Sequence, residues 1–186
     1  MFFRLLALAL LAAGSAAAQT APAPAPVASM PRVPFAPVMI PARGGEVIIS
    51  SPGEQRAYDT YKFAPARRVG DTLYISGVIA GVRPGTAPGA EGMKVGVRHA
   101  FANLQRLLRA SGADFQDVVM INTFHVWDHP QVPGGRDAHF AAFAAVKDEF
   151  MKAPHPAWTA VGTTGLLSDG GLVEIQLIAH VPQRPR

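Results

Sequence analysis

Two segments, residues 117–127 (DVVMINTFHVW) and 172–181 (LVEIQLIAHV), carry apolar side chains at both odd and even positions. Successive side chains of an extended chain point to opposite faces. A strand that is apolar on both sides therefore needs cover on both sides. Only two segments supply amphipathic helices to provide it. In residues 92–110, Met93, Val97, Ala100, Phe101, Leu104, Leu107 and Leu108 recur at one-face helical spacing, and Gly112 is placed to end that helix in a left-handed cap. In residues 136–151, Phe140, Phe143, Ala144, Phe150 and Met151 fall near one stripe. Two helices can cover one face of a sheet. The other face calls for a second subunit, so an oligomer is expected.

The remaining strands are shorter. EVIIS (46–50) reads as a first strand, and residues 67–81 (RRVGDTLYISGVIAG) read as a strand pair around a Gly70–Asp71 turn. Glycines and prolines mark residues 83–92 as a loop. WTAVGTTGLL (158–167) and the final strand are read as joined by a turn at SDGG. The order is strands, helix, strand, helix, two strands, which describes an α+β domain with two helices on one face of a sheet.

The N-terminus carries a different message. Arg4 precedes an apolar run from Leu5 to Ala13, and the small residues Ala16, Ala17 and Ala18 follow. That is the order of a secretory signal peptide over residues 1–18, which implies a periplasmic or secreted protein. The run is shorter than the roughly 20 residues needed to span a bilayer. The chain has no cysteine, which excludes a lipid-anchored lipoprotein and disulfides. Residues 19–44 alternate proline with small residues and show no periodic apolar face, the composition of a spacer, so the domain is expected over residues 45–186. The formal charge is +4, and several of the arginines lie toward the ends. No Lys/Arg run is present to track a phosphate backbone, so nucleic acid is not an expected partner. After removal of the signal, neither is a membrane.

Four stretches in order, VGDTLYISG, NLQRLLRASGADFQDVV, HPAWTAVG and LVEIQLIAHV, resemble the RidA family of reactive-intermediate, or imine/enamine, deaminases, also called the endoribonuclease L-PSP family. The resemblance spans about residues 60–182. It implies a chorismate-mutase-like fold, a homotrimer with clefts between subunits, and hydrolysis of 2-imino acids to 2-oxo acids and ammonia without metal or cofactor. Residue by residue, it implies that Glu174 positions water and that the Gly77 backbone amide faces the ligand. It also implies that Ser76 lines the same cleft, with Phe63 where relatives carry a tyrosine and Ala160 where many carry a small polar or thiol group.

One departure stands out. The family's Pro-Ala-Arg-Thr/Ser stretch reads PAWT here, with Trp158 in place of the arginine that binds the substrate carboxylate. An indole has one N–H and no charge, so it cannot form a bidentate clamp. Trp158 either packs a core or, by the family alignment, walls the intersubunit cleft and suits a flatter, more apolar ligand. Glu174, flanked by Val173 and Ile175, either orients a water or makes a structural hydrogen bond at an interface, since a carboxylate among apolar neighbours is costly to bury alone. The readings open at this point are a hydrolase of imine- or enamine-type molecules and a trimer that only binds a small ligand. His125 and His129, with Asp128 between them, lack a third ligand at fixed spacing, so no metal site is expected.

Overall fold

The computed structural model describes residues 34–182. The expected signal peptide and most of the spacer lie outside them. Seven strands run β1 Val38–Ala42, β2 Gly45–Ile49, β3 Ala66–Val69, β4 Thr72–Gly81, β5 Val118–His125, β6 Ala157–Gly162 and β7 Gly171–His180. Three helices are α1 Pro52–Tyr61, α2 Ala90–Ala110 and α3 Gly135–Phe150. The strands form one sheet in the order β1-β2-β3-β4-β7-β5-β6. All neighbours are antiparallel except β5 and β6.

Helix α2 forms as its periodicity requires. Met93, Val97, Ala100, Phe101, Leu104, Leu107 and Leu108 are all buried, and each fully buried side chain of this size contributes roughly 1.5–3 kcal/mol. Gly112 adopts φ +73°, and the helix closes with Gly112 N donating to Arg109 O at 3.0 Å and Ala113 N to Leu108 O at 2.9 Å. That paired closure satisfies two of the carbonyls a helix end leaves over. The buried face meets Leu73 and Ile75 of β4 and Leu177 of β7 in one continuous core. Phe101 links it to α3, with ring centroids 6.0 Å from Phe143 and 5.1 Å from Phe150.

Three elements differ from the sequence expectation. Residues 38–42, read as the end of the spacer, form β1, whose residues pair with β2 from Val38↔Ile49 to Ala42↔Gly45. Proline alternation gives way there to Val-Met-Ile, enough β-forming sequence to add an edge strand. Helix α1 was not foreseen because none of its residues is fully buried, so it has no apolar stripe to read. Its signal was the cap: Ser51 accepts from Glu54 N at 3.3 Å, Pro52 occupies the first turn, and the Glu54 carboxylate accepts from Ser50 N at 2.6 Å. Serine followed three residues later by glutamate is the usual sequence mark of such a start. Finally, β6 and β7 are not neighbours. β5 lies between them, with Ile121↔Trp158 on one side and Ile121↔Leu177 on the other. The link from β5 to β6 passes through α3, the kind of crossover a parallel pair demands.

The sheet has one covered and one uncovered face in the single chain. Cross-strand partners place Tyr74, Ile178, Glu174, Phe124 and Val161 together on the side away from Ile75, Leu177 and Ile121. Tyr74 (49%), Val161 (43%) and Phe124 (36%) are exposed there, although their strands are as apolar on this side as the sequence suggested.

The backbones of α2 and β4 approach each other closely. A Cβ built on Gly96 would stand 2.0 Å from Gly81 O, a backbone atom that cannot swing aside. Gly96→Ala is therefore expected to push α2 off the sheet at a cost of about 1–3 kcal/mol, read as a lowered urea midpoint with an unchanged denaturant slope.

Candidate functional site

Glu174 and Gly77 meet across the β4–β7 pair. The ladder slips between Ile75 and Val78, so Ser76 and Gly77 have no partner on β7. A bulge of this kind re-aims side chains locally. The Glu174 carboxylate occupies the space above Gly77, where a Cβ would lie 1.8 Å from Oε1. Only glycine allows that approach. The two residues line an open cleft of about 390 Å³ with Phe124, Thr163, Leu166 and Gln176. Beside it, Asn122 Nδ2 donates to Gln176 Oε1 at 3.2 Å. Glu174 is half-buried, and among the described residues its carboxylate has no hydrogen-bond or ion-pair partner. Carboxylate oxygens accept hydrogen bonds, and this capacity is unused among the described residues.

The other expected site residues go elsewhere within the chain. The Ser76 hydroxyl donates to Ala64 O at 2.7 Å and its backbone N donates to Pro65 O at 2.9 Å, so Ser76 ties down the loop that precedes β3. Phe63, in that loop, is 40% exposed and does not line the Glu174 cleft. Trp158 and Ala160 point to the helix side of β6, opposite Glu174. Trp158 stacks on Phe140 with centroids 5.2 Å apart and an 11° interplanar angle, lies 5.8 Å from Phe143, and donates from Nε1 to Thr123 Oγ1 at 3.0 Å. Ala160 lines a separate cavity of about 260 Å³ with Trp127 and Phe140. In a single chain, then, Trp158 packs against the core edge, and an indole and a carboxylate expected in one cleft stand on opposite sides of the sheet.

A buried histidine pair was missed. His125 does not pair with His129: its Nδ1 lies 3.2 Å from His139 Nε2, and its Nε2 lies 2.8 Å from Thr123 Oγ1. The ring of Trp127 stacks on His125 at 4.2 Å and 7°. Both histidines are fully buried, and His139 Nδ1 has no partner among the described residues. Burial pushes His125 down to about 3 and His139 to about 4, with the neighbouring imidazoles (His139 for His125, His129 for His139) acting in the same direction. The signal was present in the sequence. His139, Phe143 and Val146 fall at i, i+4 and i+7, which puts the histidine on the buried stripe of α3. Among the described residues no group of three or more His, Cys, Asp or Glu is placed to hold a metal ion.

Comparison with known proteins bears on this geometry. The sequence profile of the endoribonuclease L-PSP family matches residues 54–181. The RutC family protein YjgH of Escherichia coli is 34% identical over 133 residues, covering 71% of this chain and 92% of that protein. The chain belongs to the RidA, or endoribonuclease L-PSP, family. Another member, the 2-iminobutanoate/2-iminopropanoate deaminase of Dermatophagoides farinae, is 33% identical over 138 residues, 72% of this chain and 95% of that one. The solved structure of YjgH superposes with a TM-score of 0.53 over 68% of this chain and 89% of its own. That of RidA from Psychrobacter sp. gives 0.51 at 27% identity, over 64% and 88%. The family fold accounts for the mixed sheet and for α2 and α3 on one face.

The histidine pair carries a prediction about pH. Both groups titrate near 6.5 in the unfolded chain and well below that in the fold, so below pH 6.5 the unfolded state binds more protons. Their contribution to stability is full above about 6.5 and is lost progressively as the pH falls toward 4 and then 3. Urea midpoints taken from pH 7.5 to 4.5 are expected to fall over that window. A flat profile means that the pair is not neutral in the fold.

Proposed function

We propose that this protein is an exported RidA-type hydrolase that acts on an imine- or enamine-type small molecule at a cleft between subunits of a homotrimer. The half-buried, unpartnered Glu174 carboxylate against the bare backbone of Gly77 carries the reading. On this reading Glu174 accepts a proton from a water as its oxygen bonds to the C=N carbon. That proton passes to nitrogen to give an amino alcohol; its hydroxyl proton then moves to the same nitrogen as the C–N bond breaks, so ammonia leaves behind a carbonyl. One water is consumed and no redox partner is required. The Gly77 amide would hold a polar atom of the substrate. The naming of a 33%-identical member as a 2-iminobutanoate/2-iminopropanoate deaminase supports the reaction class.

Export rests on the N-terminal leader pattern and its periplasmic or secreted destination. The trimer rests on the apolar, uncovered sheet face and on the family. In that assembly Trp158 stands where the resemblance expects a carboxylate-binding arginine. That substitution favours the second reading, a non-catalytic trimer holding a small aromatic or apolar ligand.

Ammonia release from freshly generated 2-iminopropanoate tests the hydrolase. Turnover is expected from wild type, with kcat reduced by about 10²–10⁴ in Glu174→Gln and an unchanged thermal midpoint. If wild type is silent on imino acids and on neutral imines, the binding reading replaces it. Assembly is tested separately. Val161→Glu places a charge on the uncovered face and is expected to convert a light-scattering mass of three chains into one. A monomeric wild type overturns the intersubunit cleft.

A further inference from the structure

A second cavity lies on the opposite side of the sheet from Glu174. It opens between the end of α3, the residues that follow it and β6, and measures about 440 Å³, the size of a small-molecule site. Ile121, Met151, Pro156 and Trp158 supply its apolar wall, and Lys147, Asp148, Lys152 and His155 supply its polar one.

Lys147 is the unusual member. It is a lysine with 8% exposure, in a residue type that is almost never buried without good reason. Its ammonium has three donors. One goes to Asp148 Oδ1 at 2.6 Å, and no second acceptor stands within reach among the described residues. Nζ also sits 5.2 Å from the centre of the Trp158 ring, a distance at which the π face attracts a cation. The neutralising partner is the more exposed of the two, 65% against 10% for the Lys147 side chain, and it lines the same cavity.

Lys152, whose Nζ donates to Asp148 O, adds a second cation at the rim. The Asp148 carboxyl is held below the ordinary carboxylate range, chiefly by the Lys147 hydrogen bond. Burial opposes this, while the charges of Lys147, His155 and Lys152 add to it. Asp148 therefore stays ionised, and the cavity still carries an excess of positive charge beside an apolar wall.

We propose that this cavity binds a small organic anion, a carboxylate with a flat or apolar body. The anionic end pairs with Lys147 and Lys152, and the body lies along Trp158, Ile121 and Met151. Within one chain the cavity shares no lining residue with the Glu174 cleft.

The test follows the Trp158 indole N–H resonance in the isotope-labelled full chain, assigned by its loss in Trp158→Phe while the Trp127 signal remains. Benzoate is the probe, benzyl alcohol its uncharged counterpart, and inorganic phosphate an anion without a body. A saturable shift with benzoate and none with benzyl alcohol is expected. Lys147→Gln and Lys152→Gln should each weaken benzoate at least tenfold, Lys147→Arg should retain it, and Glu174→Gln should leave it unchanged. If Lys147→Gln does not fold, the exposed Lys152→Gln decides. The proposal is overturned if benzoate gives no saturable shift or if benzyl alcohol binds as well. It also falls if phosphate matches benzoate or if folded lysine variants bind as wild type does.

Discussion

Helix α2 reaches the sheet only because Gly96 leaves room for its backbone. Gly96 lies against the carbonyl of Gly81, and the close approach lets Met93, Val97, Leu104 and Leu108 sink fully among the side chains of β4 and β7. The position of α2 in turn sets that of α3, through Phe101 against Phe143 and Phe150. From α3 come the residues that give the far half of the molecule its chemistry: His139, Phe140, Phe143 and Lys147. A Cβ in the wrong place at residue 96 would be felt across that whole chain of contacts, because a close-packed core transmits displacement instead of absorbing it.

The sheet also divides the chemistry. On its uncovered side a carboxylate stands over a bulged strand, with no hydrogen-bond or ion-pair partner among the described residues. On its helix side polar groups pair in a line, Trp158 Nε1 to Thr123 Oγ1, Thr123 to His125, His125 to His139, which ends at His139 Nδ1, unpartnered among the described residues. Buried polar groups are tolerated when they are paired, and this line pins β5, β6 and α3 together. Trp158 is thus a structural member of the fold as well as a wall of the cavity that holds Lys147. Its indole answers the chain's own hydroxyl, which explains how an aromatic is accommodated where the family resemblance expected a cation.

Much of this was legible before any coordinates. The burial of α2 follows from one-face spacing and its end from Gly112. The β3–β4 hairpin follows from Gly70–Asp71, and the need to cover a second sheet face follows from the doubly apolar β5 and β7. Glu174 was singled out by the family resemblance, and its place between Val173 and Ile175 is plain in the sequence. Helix α1 escaped because a helix held by its cap and by the Arg106–Glu54 pair at 3.4 Å buries no stripe for periodicity to detect. Strand β1 escaped because proline-rich sequence reads as spacer until a partner strand is known.

Outside α1 and β1, local spacing determined which residues are helix or strand and which way each side chain faces within its own element, since those depend on the 3.6- and 2-residue repeats of the backbone. It could not determine who stands beside whom. That β5 separates β6 from β7, that Trp158 shares a face with Lys147 and not with Glu174, and that His125 finds His139 and not His129 all depend on strand order and register. Those are properties of long-range pairing, and a one-residue change of register sends every side chain of a strand to the other face. Only the assembled tertiary structure decides them.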